Sequence, residues 1–549
     1  MDGSKVLILG VDGGSYELIR RWAGEGLLPA FRELLATGAS GILESTHPPV
    51  TSPAWPCFMT GKNPAKHGVF DFITHDGSDV GLVSSRSVES KTLWELLSEK
   101  GKRVGVVDIP VTHPPRPVNG FVISDALLAG RPASWPADFL ARCEEKLGPY
   151  QIFAQTPEAD LVGFAEETIG LLGRMETYLH HFLDEEQPDF LAVRLGAPDA
   201  IQHFYWRYMD RDHPLHDPAE AERLGGMILK AYAKVDEILG RVLARLGDEW
   251  TVMIVSDHGF GPLLASVNLN MFLLAEGLLH LKRDPVTRLK HALFRRGFSP
   301  SRVYRAVSRL GGEFLAKKVG RKARNKVIGK FLSFDDVDWS RTRAFSMGHM
   351  GQIYVNVKGR EPKGIVDRGP AYEEVRNEVE RALRKLVNPR TGGALVDRVI
   401  RREEVYAGPY VDAAPDLLVV MDDFRYIAFP LFASEAAVIT SNIRQNVSGS
   451  HRMEGILAVR GPQVARGRTV TGARLVDVAP TVLHLMGLPV PDDMDGRVLR
   501  ELFAGAGDAS RDVKFEAGRG AFAQEDGFEL GAEEEEEVEE RLRQLGYLG

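Results

Sequence analysis

Three aspartates and three histidines stand directly after apolar runs or in glycine-rich turns. Asp12 follows VLILGV, and Asp257 and His258 follow WTVMIVS. Asp199 and His203 lie four apart in APDAIQH, on one face if that segment is helical. His451 sits in SGSHRMEG, just before the apolar run of GILAVRG. Nitrogen and oxygen donors without cysteine suit zinc or manganese at a hydrolytic centre. Six donors exceed the three protein ligands that one catalytic zinc usually takes, so two metals sharing them fit better, with Thr51 joining one. Two ions roughly 4 Å apart stabilise the attacking and leaving oxygens of an in-line displacement at phosphorus. Coordination also turns a hydroxyl, otherwise a poor nucleophile, into a useful one near neutral pH. Taken singly, each residue has a plainer reading: an aspartate after a strand turns the chain or caps a helix, and a lone histidine is usually structural.

The hydroxyl comes from PPVTSPAWPCFMTGKNPAKHG, Pro48 to Gly68. Thr51 and Ser52 both qualify. Thr51, followed by Ser-Pro, also reads as the N-cap of a helix holding Phe58 and Met59, with Pro53 early enough to be tolerated. The two roles are compatible, because a helix N-terminus is itself an anion site.

The elements that must position these groups are legible as short apolar runs: KVLILGVDG, KRVGVVDIP, PDFLAVRLG, WTVMIVSDHG, PDLLVVM and GILAVRG. Near-continuous runs of this length fit parallel strands covered on both faces. Helical patterns lie between them, as at Thr177 to Asp184 and Ala231 to Leu246. The alternation predicts an α/β fold with a mostly parallel sheet, whose ligands bind beyond the carboxyl ends of the strands. The chain has 549 residues, 44% of them hydrophobic and 26% charged, as in a globular enzyme of several domains or one domain with insertions. A net charge of −8 argues against specific nucleic-acid binding. Cys57 and Cys143 are the only cysteines, which excludes a disulfide framework. There is no apolar stretch long enough to span a bilayer and no secretory pattern at the N-terminus, so the expectation is a cytoplasmic protein.

The ordered set LILGVDG, TSPAWPCFMTGKNPAKHG, PDAIQHFYW, SDHGFGP, GSHRMEG and DVAPTVLHLMGLPVPDDMDGRVL resembles the alkaline phosphatase superfamily, in particular its type I phosphodiesterase/nucleotide pyrophosphatase branch, over about residues 5 to 503. The resemblance implies a three-layer sandwich. It implies that Asp12, Asp257 and His258, with the nucleophile Thr51, surround one divalent metal, and that Asp199, His203 and His451 hold a second. Zinc is expected, with manganese or iron as alternatives. The implied reaction is hydrolysis of a small phosphorylated substrate, a nucleotide or phosphodiester, through a phosphothreonine. Transfer to an alcohol, or phosphomonoester hydrolysis, are the alternatives within the superfamily. Thr51 is preferred to Ser52 because it lies 16 residues before His67, the family spacing.

The departures concern the substrate. The family's phosphoryl-binding Asn falls at Phe72 here, so Lys62 or a backbone N–H is the expected replacement. Trp55, Lys62 and Phe72 are the residues expected to set substrate choice. Sulfatase chemistry is disfavoured, since Thr51 is not a substrate for formylglycine conversion and Trp55 stands where that signature has Arg. Residues 281–330 hold 16 Lys/Arg against 2 Asp/Glu. The expected organisation is a catalytic core over 1–270 and 346–505, a basic helical insertion or cap over 271–345 and an acidic tail over 506–549. The basic stretch is a solvated helical face, an anion-capture surface, or a contact with an anionic membrane. The oligomeric state is left open.

Overall fold

The run KVLILGV forms the strand Lys5–Val11, and its alternate side chains serve two different cores. Val6 and Ile8 enter one, Leu7, Leu9 and Val11 the other, as the period-two geometry of a doubly covered strand requires. The strand lies between Phe190–Leu195 and Trp250–Val255 and is parallel to both. The computed structural model describes residues 5–76, 79–125, 131–154, 160–298, 332–348, 350–428, 438–440, 447–503 and 512–518. Most of the basic stretch (299–331) and most of the acidic tail (504–511 and 519–549) lie outside them.

The central sheet has ten strands in the order 468–469, 39–44, 454–460, 250–255, 5–11, 190–195, 104–107, 120–123 and 134–135, with 473–474 also beside 39–44. Only Glu454–Arg460, antiparallel to both neighbours, and the edge pair 120–123 with 134–135 depart from parallel. Helices Tyr16–Gly24, Leu161–His181, Ala197–Met209 and Met227–Arg245 cover one face. Thr51–Thr60, Leu93–Glu99 and Val478–Leu485 cover the other. This is the expected α/β architecture, a mostly parallel sheet flanked by helices.

Strand direction gathers the site. Lys5–Val11, Phe190–Leu195 and Trp250–Val255 are adjacent and parallel, so Asp12, the start of the 197–209 helix and Asp257 emerge at one edge. Ala39–Glu44 runs the same way and delivers the Thr51 helix to that edge. Glu454–Arg460 runs the opposite way, so its beginning, next to His451, lies there too.

Between Pro262 and Gly449 the chain builds a second unit. Ala344–Ser346, Gln352–Val355, Leu417–Met421 and Val396–Arg401 form an antiparallel sheet, and a separate core draws on residues from Ala265 to Ala428. The run PDLLVVM, read as a strand of the parallel sheet, belongs here instead. An apolar run reports burial on both faces, not which sheet does the burying. The described part of the basic stretch contributes the helix Pro285–Arg295 to this core, which reaches well past residue 345. Gly259–Pro262 pairs antiparallel with Gly449–Arg452, so the unit leaves and returns through one two-stranded stem. No described helix is long and apolar enough to cross a membrane.

Trp55 locks the Thr51 helix to the sheet. Its indole is fully buried and lies against Gly10, where an added Cβ would come within 2.5 Å of the ring. Gly10→Ala is therefore expected to destabilise the fold by about 1–3 kcal/mol in denaturant unfolding, with a smaller cost when Trp55→Leu is also present.

Candidate active site

The six donors expected from sequence meet at one place, all buried. They fall into two groups, Asp12 with Asp257 and His258, and Asp199 with His203 and His451; within each group the donor atoms lie within 4.8 Å of one another. The groups adjoin. His258 Nε2 is 3.2 Å from Asp257 Oδ2, 3.8 Å from Asp12 Oδ1 and 4.0 Å from Asp199 Oδ1. Asp199 Oδ1 is 3.6 Å from Nε2 of both His203 and His451. The His258 and His451 rings stack with centroids 3.6 Å apart.

Backbone carbonyls orient the three imidazoles. Nδ1 of His203 meets the Gly449 carbonyl at 3.1 Å, that of His258 the Gly259 carbonyl at 3.1 Å, and that of His451 the Pro49 carbonyl at 2.8 Å. A carbonyl only accepts, so Nδ1 carries the proton and Nε2 presents a lone pair toward the cluster. Burial lowers the pKa of His203 and of His258 to about 4, and holds His451 well below its ordinary value. The rings are thus neutral and able to ligate. Asp257 is pushed far up by burial and by the charges of Asp12 and Asp199. Asp12 Oδ1 and Asp257 Oδ2 accept no hydrogen bond although fully enclosed. Three converging carboxylates, neutral imidazoles and enclosed oxygens without donors are what a pair of divalent cations would satisfy, and the residues fit that group.

Thr51 belongs to the same cluster. Its Oγ1 is 3.3 Å from His258 Nε2. The helix Thr51–Thr60 begins at Thr51 itself, Val50 takes the cap position, and no side chain caps it. Ala54 N already donates to Val50 O at 3.0 Å and Pro53 has no N–H, so the open first-turn amides are those of Thr51 and Ser52.

A sequence profile of the type I phosphodiesterase/nucleotide pyrophosphatase family matches residues 6–429. The chain belongs to this family. It is accordingly a hydrolase of the phosphodiesterase/pyrophosphatase type. No curated protein matches it in overall sequence. Similar solved structures include human ectonucleotide pyrophosphatase/phosphodiesterase 5, 13% identical, covering 91% of this chain and 100% of its own, with a TM-score of 0.49. The murine protein, in an inactive threonine-to-alanine form in complex with AMP, has the same identity and coverage and a TM-score of 0.50. At 13% identity the murine likeness is one of fold.

Of the three expected substrate contacts, one is paired with an acid elsewhere and two are enclosed in a core. Lys62 follows the far end of the Thr51 helix, about 15 Å along its axis, where its Nζ pairs with Asp493 at 2.5 Å. Trp55 and Phe72 are fully buried in the core under the sheet. The family's Asn slot suggested Phe72 and, as its replacement donor, Lys62, and the sulfatase frame singled out Trp55; the helix carries Lys62 away.

Sequence reading missed a supporting layer. Buried Arg194, at the end of Phe190–Leu195, donates to Asp12 Oδ2 at 2.5 Å and to Asp108 Oδ2 at 2.9 Å. It holds one Asp12 oxygen and leaves the other facing the cluster. Burial raises Asp108 to about 7 against the pull of Arg194, and its backbone sits in the left-handed region at φ 57°. Gly13, at φ 64°, donates to Asp257 Oδ1 at 3.2 Å, and Gln202 Nε2 donates to Gly13 O at 2.9 Å. The available signal was Arg194 itself, the one charge in FLAVRL. Arg194→Met strands two buried carboxylates. A loss of about 3–5 kcal/mol is expected in denaturant melts, partly recovered when Asp108→Asn is added.

Proposed function

We propose that the protein is a two-metal phosphodiesterase or pyrophosphatase whose nucleophile is Thr51. The observation that carries this reading is Thr51 Oγ1 at 3.3 Å from His258 Nε2, on the rim of two adjoining Asp/His triads. Asp12, Asp257 and His258, with Thr51, would hold one divalent ion, and Asp199, His203 and His451 the other; zinc is the first expectation, with manganese or iron as alternatives. Bound there, the ions supply charge neutralisation for the phosphoryl oxygens and a lowered pKa for the threonine hydroxyl.

The chain's own part follows from its geometry. The open amides of Thr51 and Ser52 face a phosphoryl oxygen at a helix N-terminus, where the helix dipole favours negative charge. Thr51 Oγ1 loses its proton to water and attacks phosphorus in line with the departing group. A P–O bond to Thr51 forms as the bond to the leaving alcohol or nucleotide breaks, and the leaving oxygen takes a proton from water. Water then attacks phosphorus, and Thr51 departs with its hydroxyl restored. Trp55 and Gly10 keep the helix seated while its first residue carries this bond. A nucleotide-like substrate is the first to test, given the family and the AMP bound by the murine relative.

Purified protein should hydrolyse a bis-aryl phosphate faster than the mono-aryl ester, and a chelator should abolish the activity. Thr51→Ala should lower kcat by at least about 10³-fold at saturating metal while its melting temperature stays within error, and Thr51→Ser should retain part of the rate. Absence of hydrolysis of either ester by protein carrying two metals would overturn the reading. In a separate measurement, His203→Ala should reduce bound metal from two equivalents to about one.

A further inference from the structure

The helix Pro285–Arg295, in the second unit, has one face fixed and the other unusual. Asp284 caps it, accepting from Thr287 N at 2.9 Å. On the inner side Thr287 donates to Asp336 Oδ1 at 3.1 Å, and Lys290 Nζ reaches both Asp336 oxygens at 3.0 Å. Phe294 is enclosed in the second core. With that side pinned, Val286, Leu289 and Leu293 form a ridge on the outside, 63%, 60% and 38% exposed. Their spacing of three and four residues aligns them in a single stripe.

A helix side open to water normally carries lysine and glutamate, and single exposed leucines are scattered. Here three large apolar side chains stand in line. Lys282, Arg283, Arg288, Arg295 and Arg296 lie on or beside the same helix, and residues 285–298 contain no acid. At about 100° per residue the apolar stripe takes one side of the outer face, Arg288 and Arg295 take the other, and Arg296 falls next to the stripe. An outer face divided in this way suits the boundary between lipid headgroups and acyl chains, with the stripe below the phosphates and the cations among them. We propose that this face docks on an anionic lipid bilayer. The chain as a whole carries −8, so attraction to such a surface has to be local and would orient the molecule. An acidic peptide would answer the cations but leave the ridge in water. The chain's own tail follows the run Glu533–Glu537 with Val538, Leu542, Leu545 and Leu548, so it is the rival occupant that the test has to separate from lipid.

The test is flotation of the full-length protein with vesicles of phosphatidylglycerol in phosphatidylcholine, and with phosphatidylcholine alone, at low and at high salt. Protein is expected to float with the anionic vesicles only and to be released by salt. Val286→Ser with Leu289→Ser, and separately Arg295→Glu with Arg296→Glu, should each cut recovery by at least about fivefold. Both pairs should leave the melting temperature and the hydrolysis of soluble esters unchanged. Failure to float at low salt, or flotation indifferent to both pairs, would overturn the proposal. So would flotation that emerges only after removal of residues 519–549, since the tail would then be the occupant of the ridge.

Discussion

Three carboxylates gathered out of water at the ends of three neighbouring strands are the constraint on which the structure turns. Asp12, Asp199 and Asp257 repel one another, and burial raises the cost of each charge. The fold offsets that cost in small fixed pieces. Gly13 gives an amide to Asp257, and Arg194 gives its guanidinium to Asp12. The glycine at position 13 is needed because the turn adopts φ 64° with Phe260 closing on it, where a Cβ would lie 2.9 Å from the ring. What these donors leave unanswered is aimed at the centre, and that remainder of unbalanced charge is the property the site has to offer a cation.

Imidazoles kept neutral by burial complete the arrangement, and peptide carbonyls instead of other side chains fix their tautomer. Each carbonyl that holds an Nδ1 belongs to a segment with a second role. Pro49 leads into the Thr51 helix, while Gly259 and Gly449 lie on the stem of the second unit. The orientation of the imidazoles, the position of Thr51 and the attachment of the second unit are therefore fixed by the same short stretches of backbone. Tyr406 of the second unit adds to this by donating to the carbonyl of His47, just upstream of Thr51.

Much of this was legible in the chain. An aspartate directly after an apolar run is marked by local sequence alone, and parallel strands bring such positions together whatever lies between them. That is why Asp12, Asp199, Asp257 and their histidine neighbours could be assembled from one dimension. Other features depend on distance and direction. Trp55 sits near the hydroxyl in sequence but is spent on packing against Gly10. Lys62 is removed by the length of a helix, and Phe72 by burial. The strand Leu417–Met421 carries the same apolar signature as the central strands, and nothing local separates the two sheets. Arg194 was visible as a charge in an apolar run, but its partners lie 182 and 86 residues away.

The stem formed by Gly259–Pro262 and Gly449–Arg452 closes a loop of chain at the threshold of the Asp/His cluster. Arg452 bolts it, donating to the Pro262 carbonyl on the opposite strand and to that of Phe424 in the second unit. Seen from the ligands, everything inserted beyond this point is one closed bracket. The entropy of closing a loop grows only slowly with its length, so the long chain inside the bracket adds little to the cost of bringing His258 and His451 together. The stem thus works as a clasp: its pairing sets His451 opposite Phe260, two residues after His258, whatever length of chain it encloses.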